Sequence, residues 1–509
     1  MVAQKQSRVG FVVAGLLLGL FIAAMDNTIV ATATGTIVSD LGGFDKFVWV
    51  TSAYLITQVA GTPIFGKLSD MYGRKKFFLF GLSVFLIGSI LCGIAQNMVQ
   101  LSIYRAIQGI GAGALSPIAF TIMFDLFPPE KRGKMAGLFG AVFGLSSIFG
   151  PLVGALITDH FSWHWIFYIN VPLGIIALAL IVPFYHESKI HTKLQIDWWG
   201  ALTLVISVVS LMFALELGGN TYAWSSIPIL SLFVSFFVFL IVFLWIETRV
   251  KEPIINFRMF QKRLFTSSVL ANLFYGIAFI VGTVYIPIFV QGVLGGSTTN
   301  AGLILIPMTL GSVVGAQIGG LLIARMSFRN IMVSSCLIFI TGMYLLSTIT
   351  PEITKGVLTM YMIITGFGVG FSFSVLGQSS IHPFGFRERG SATSTSTFLR
   401  TLGMTLGITI FGILQRNYFT DKITTAFAGV KDSGNAFSQM TDPRALLSPE
   451  TRAQIPPEIL EKITGVLSSS IAYTFAWAII PAVLAFICVA LMGNERIEVT
   501  SKASKVETE

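Results

Sequence analysis

The chain has 509 residues, 54% of them hydrophobic and 11% charged, with a mean hydropathy of +0.80. A soluble protein carries roughly 25% charged residues, so the composition excludes one or two water-bathed domains and fits a surface facing lipid. The net charge of +9 does not point to nucleic acid, because the cations sit in short loops rather than on one face.

In chain order, apolar runs long enough to cross the hydrocarbon core, about 20 residues each, fall at 10–33, 46–66, 77–96, 98–124, 135–157, 164–184, 197–217, 227–248, 265–290, 299–325, 329–349, 353–381, 391–415 and 469–492. They predict an all-α membrane protein with fourteen transmembrane helices. Lys5 and Arg8 precede the first run as in a secretory leader. That run continues from Phe11 to about Ala33, long enough to span, so a membrane helix is expected there.

The loops test the count. With fourteen spans both termini share one side, and most of the 33 Lys and Arg fall in segments on that side: Lys67–Lys76, Asp125–Lys134, Tyr185–Ile196, Arg249–Leu264, Arg325–Asn330, Phe384–Gly390 and the two tails. By the positive-inside rule that side is cytoplasmic, which predicts a multi-pass protein of the plasma or inner membrane. The polar stretch 416–468, with Pro443, Pro449, Pro456 and Pro457, reads as one long external loop. A weak internal echo aligns Gly66-Lys67-Leu68 with Gly320-Leu321-Leu322, and Lys75 with Arg329. Repeats around a central site are the usual plan of secondary transporters.

Several chemistries are missing. No Gly-x-x-x-x-Gly-Lys-Ser/Thr loop cradles phosphates, and neither His-Glu-x-x-His nor Gly-x-Ser-x-Gly occurs. No enzyme, cofactor or metal site is expected. Cys92, Cys336 and Cys488 lie in separate apolar runs and read as small buried residues. Gly109, Gly111 and Gly113, like Gly366, Gly368 and Gly370, lie inside spans and read as close-packing positions. A pump without ATP chemistry draws on an ion gradient.

Ionisable groups inside a membrane are costly and each raises a functional question. Asp26 of the first span and Arg105 of the fourth both sit about 10 Å below the outer surface, at 1.5 Å per residue, and can meet. Two readings are open: a carboxylate that takes and releases a proton as Arg105 approaches and withdraws, or a static pair locking two helices. The glycines from Gly109 to Gly113 would bring the fourth helix close. Glu216 reads as a rim group near the outer end of the seventh span. Glu247 and Asp125 read as solvated at cytoplasmic ends, and His382 as a bystander. Arg400, deep in the thirteenth span, should face an anionic partner or a cavity.

Several stretches are similar to a known family. Gly66-Lys67-Leu68-Ser69-Asp70-Met71-Tyr72-Gly73-Arg74-Lys75-Lys76 resembles the signature loop of the major facilitator superfamily, and Arg105-Ala106-Ile107-Gln108-Gly109 its fourth-helix motif. Gly144 through Gly150-Pro151-Leu152-Val153-Gly154 resembles the fifth-helix motif of antiporters. Met25-Asp26-Asn27-Thr28-Ile29-Val30, Trp163 through Pro172, Tyr285-Ile286-Pro287 with Gln291, and Arg400-Thr401-Leu402-Gly403 resemble the fourteen-span drug:proton antiporters of the EmrB/QacA type. His164 and Ala155 depart from it, where Arg and Gly are usual.

The resemblance implies two six-helix bundles, 1–190 and 251–509, with an inserted pair of helices at 191–250. It implies proton coupling at Asp26 and Arg105, a conformational latch at Gly66, Asp70, Gly73 and Arg74, and an antiporter bend at Gly144, Gly150, Pro151 and Gly154. Topology adds that Asp70 can accept hydrogen bonds from the start of the thirteenth span, near Gly390 and Ser391, where the helix dipole is positive. The implied activity is export of hydrophobic or cationic drugs in exchange for protons, with a small amphipathic substrate, protons and the lipid bilayer as the partners. The alternative is an exporter of one endogenous amphiphile, siderophore, lipid or metal–tetracycline chelate.

Overall fold

A computed structural model describes residues 8–41, 48–187, 196–219, 221–296, 304–426 and 456–496. The helices are α1 (Val9–Leu41), α2 (Val48–Tyr72), α3 (Arg74–Gly93), α4 (Met98–Leu126), α5 (Pro129–His160), α6 (Asn170–Phe184, after a single turn Trp165–Tyr168), α7 (Trp198–Leu217), α8 (Ile227–Glu247), α9 (Arg263–Ile288), α10 (Ile306–Leu322), α11 (Phe328–Leu346), α12 (Lys355–Ile381), α13 (Arg389–Ala426) and α14 (Pro457–Ala490).

Among the described residues these make fourteen helical passes and no strand. Twelve are long and apolar enough to cross a membrane unaided. The other two have local reasons. Helix α10 has only 17 residues. Helix α2 is diluted by hydroxyls and amides that serve its neighbours, as where Thr57 Oγ1 donates to the carbonyl of Ala106 at 2.9 Å.

Two expectations are corrected. The first helix continues to Leu41, past the apolar run that announced it. The external loop expected over 416–468 is helical at both ends, where α13 reaches Ala426 and α14 begins at Pro457; residues 427–455 of it lie outside the described residues. Polar helix formers carry these ends once the adjoining span has nucleated the helix.

The core is not one mass. The largest buried apolar cluster draws on residues from Leu264 to Met492, including Tyr275, Phe339 and Phe475. A second centres on Leu16, Phe78, Phe85, Leu115 and Ile181, drawing mainly on the first six helices. A smaller one joins Ala201, Leu204 and Phe243 of α7 and α8 to Ile56, Val59 and Ala60 of α2. Helix α8 is otherwise peripheral, with Ile227, Val234 and Ile241 exposed as a lipid-facing surface requires.

Two antiparallel seams join the early helices to the late ones: α5 against α10, and α2 against α13. Along the first, Gly137, Gly140 and Gly144 of α5 face Gln317, Ala316 and Val313 of α10 in falling order. A methyl group at Gly140 would stand 2.9 Å from Cβ of Ala316 and one at Gly144 2.7 Å from Cγ2 of Val313, so the seam would have to open there, whereas at Gly137 the Gln317 amide, 2.6 Å away, can swing aside.

Candidate functional site

The centre of the site is a buried carboxylate. Asp26 of α1 and Arg105, Gln108, Asn170 and Ser89 around it are all 0% exposed. Arg105 Nη1 donates to Asp26 Oδ2 and to Gln108 Oε1 at 2.7 Å, while its Nε donates to the carbonyl of Val50 at 3.1 Å. The other carboxylate oxygen, Oδ1, accepts from Gln108 Nε2 at 2.8 Å and Asn170 Nδ2 at 2.9 Å. Ser89 ties the cage to α3, accepting from Asn170 Nδ2 at 3.0 Å and donating to the carbonyl of Phe167 at 2.8 Å. The Arg105 guanidinium also lies over the Tyr54 ring, 4.2 Å from its centroid.

A carboxylate buried without such donors would be protonated or would unfold its surroundings. Here it has three donors from two helices, and five helices contribute to the cage. The arrangement therefore satisfies the Asp26 carboxylate with donors from α4 and α6.

The glycines of α4 bring its neighbours in, but not as expected. A methyl at Gly113 would stand 2.7 Å from the carbonyl of Gln58 on α2, and one at Gly111 2.5 Å from that of Gly81 on α3. The close approaches are thus to α2 and α3, and α1 is reached through the Asp26 cage instead. Gly88 does the same from the other side, with a methyl there 2.6 Å from Cα of Gln108. On α5, Gly150 abuts Thr28 of α1, whose Oγ1 donates to the carbonyl of Ser146 at 3.1 Å. Gly144 faces α10, Gly154 is buried, and Pro151 sits within an unbroken helix.

A second cluster lies at the far end of α2. Asp70 accepts from the amides of Gly390 and Ser391 at the start of α13, at 3.0 and 2.9 Å. Arg74 Nη2 donates to Asp70 Oδ1 at 3.2 Å and to the carbonyl of Phe386 at 2.7 Å, with its guanidinium over the Phe386 ring. Gly73 has φ 111, a conformation open to glycine at low cost, and lets the chain turn from α2 straight into α3. Gly66 packs directly on Ser394 of α13. Asp125, expected to be solvated, instead pairs with both Arg74 and Arg389, and Lys67 pairs with Glu252 at 2.8 Å.

A sequence profile described as Major Facilitator Superfamily matches residues 16–200 and 198–408. The chain belongs to the major facilitator superfamily. It is similar to Multidrug resistance protein 3 of Bacillus subtilis (strain 168), 57% identical over 503 residues and covering 98% of each chain. Multidrug transporter protein MdtP of the same organism is 36% identical, covering 92% of this chain and 89% of its own. Among solved structures, the proton:xylose symporter XylE matches the fold with a TM-score of 0.59 at 15% identity, covering 93% of this chain and 95% of XylE.

In this superfamily member, a multi-pass membrane transporter rather than an enzyme, the remaining charges fall as follows. Glu216 is half-buried near the end of α7. Glu247 is 4% exposed, not solvated as expected, and accepts from the amides of Ile254 and Ile255 at 3.1 and 3.3 Å. His382, just past α12, packs its ring on that of Phe328, with the centroids 5.4 Å apart. Arg400 lies among α9, α12 and α13, with Asn272 Oδ1 and Ser372 Oγ each 3.4 Å away and the Phe373 ring centroid at 3.9 Å.

Sequence reasoning missed Gln108, Asn170 and Ser89 because amides and hydroxyls in spans are common and carry no charge. The one available signal was Gln108, three residues after Arg105 and so on the same helix face.

Proposed function

We propose that this transporter is a proton-coupled antiporter of the fourteen-span drug-exporting type, moving hydrophobic or cationic drugs out of the cytoplasm. The observation that carries the reading is the Asp26 carboxylate, buried and held by donors from Arg105, Gln108 and Asn170. The names of its relatives from Bacillus subtilis support multidrug export as the activity.

The cycle has a physical logic. Two bundles, 1–190 and 251–509, rock about a central path, with 191–250 as an added pair. A proton arriving at Asp26 cancels the charge that Arg105 and the two amides stabilise, so the cage loosens and α1 and α4 can shift. Reforming the cage expels the proton. At −100 mV a proton moving inward yields about 2.3 kcal/mol, apart from any pH difference, enough for roughly a fiftyfold gradient of an uncharged substrate; a monovalent cation exchanged for one proton is driven by the pH difference alone. In this reading the protein sits in the plasma or inner membrane with both termini cytoplasmic. The Asp70 cluster is then the cytoplasmic latch of Gly66, Asp70, Gly73 and Arg74, engaged while that side is closed. Gly144, Gly150, Pro151 and Gly154 form the antiporter bend on which α5 flexes.

The test is proton release from purified protein in weakly buffered detergent when ethidium is added. Wild type should release protons, and Asp26→Asn should bind ethidium with none released. Equal release from both would remove Asp26 from the coupling step.

A further inference from the structure

Arg400 stands apart from Arg105 and Arg74, the buried cations of the helix bundle. Arg105 and Arg74 each face a carboxylate, whereas among the described residues no carboxylate lies within ion-pair distance of Arg400. Its polar neighbours are neutral and distant: the Asn272 amide oxygen and the Ser372 hydroxyl, each at 3.4 Å, beyond the usual N–H···O range of about 2.7–3.2 Å. Asn272 is also committed elsewhere, its Nδ2 donating to Ser396 Oγ at 2.7 Å.

The ring beneath the guanidinium marks the place. Phe373 stacks on Phe143 of α5, centroids 6.4 Å apart, and meets Phe279 of α9 edge-on at 6.0 Å. Arg400 therefore sits where α5 meets α9, α12 and α13, and its side chain remains partly accessible. A membrane-embedded guanidinium costs several kcal/mol when isolated. One cation–π contact and two long hydrogen bonds recover only part of that, and the remaining N–H donors are arranged as a fork that fits a carboxylate.

We infer that Arg400 anchors a carboxylate of the transported amphiphile, with Phe373, Phe143 and Phe279 receiving its aromatic body. This rests on the transport reading and narrows it: zwitterions and aromatic carboxylates join the cations, and they are selected at α13, away from the Asp26 cage.

Rhodamine B and its ethyl ester differ only in whether that carboxylate is free, which makes them the matched probes. Transport of each is measured in proteoliposomes holding wild type, Arg400→Gln or Arg400→Lys, and the readout is the ratio of the KM for rhodamine B to that for the ester. Arg400→Gln should raise the ratio about tenfold, the loss expected of one charge-assisted contact, and Arg400→Lys should keep it within about threefold of wild type. An unchanged ratio in Arg400→Gln overturns the assignment. So does wild-type transport of the ester without rhodamine B, which leaves drug export standing. Wild type that moves neither dye contradicts the transport reading and the anchor with it.

Discussion

At the scale of single residues, the Asp26 cage balances charge and hydrogen bonding on one carboxylate. Oδ1 takes two amide donors and Oδ2 takes the guanidinium. Gln108 is the pivot, since its carbonyl accepts from Arg105 while its amide donates to Asp26. Gln108→Leu removes a donor that favours the ionised carboxylate, and a hydrogen bond to a charged group contributes about 1.5–3 kcal/mol. Gradient-driven drug transport by Gln108→Leu should therefore fall about tenfold, and transport at the wild-type rate would reduce Gln108 to a packing residue.

Whole elements meet at the Asp70 contact, proposed above as a latch, where the start of α13 offers two amides and the positive end of its dipole to one carboxylate. Asn in place of Asp70 keeps one acceptor and loses the charge. Asp70→Asn should thus shift the population toward the form open at this end by about tenfold. Distances between spin labels at the Asp70 ends of α2 and α13 would show it as a longer component, and an unaltered distance distribution would speak against a latch. This contact was legible in the sequence because an acid at the end of one span and a Gly-Ser start of another are both written there. The glycine seam of α5 was only partly legible. Gly144 belongs to a recognisable motif, but Gly137 and Gly140 matter through the side chains of α10, which no local pattern reveals. The same holds for Asp125 and Glu247: a charge at a helix end looks solvated until tertiary contacts enclose it.

For the molecule as a whole, hydropathy and loop charge alone yielded the fourteen passes, because lipid requires most spans to be apolar and alternate loops to be basic, and only α2 and α10 among the described helices fall short on their own. The failures were at the edges, where α1, α13 and α14 extend beyond the hydrocarbon length and composition no longer constrains them. What joins these parts into a transporter is the proposed coupling of one proton site in α1 to the seams between early and late helices. Proteoliposomes with an imposed pH difference test this directly. Wild type should accumulate ethidium when the lumen is made more acidic than the outside, so that protons leave as ethidium enters, and exchange labelled for unlabelled ethidium without a gradient. Asp26→Asn should retain the exchange and lose all acceleration by the gradient. Gradient-driven accumulation by Asp26→Asn at the wild-type rate would contradict the account.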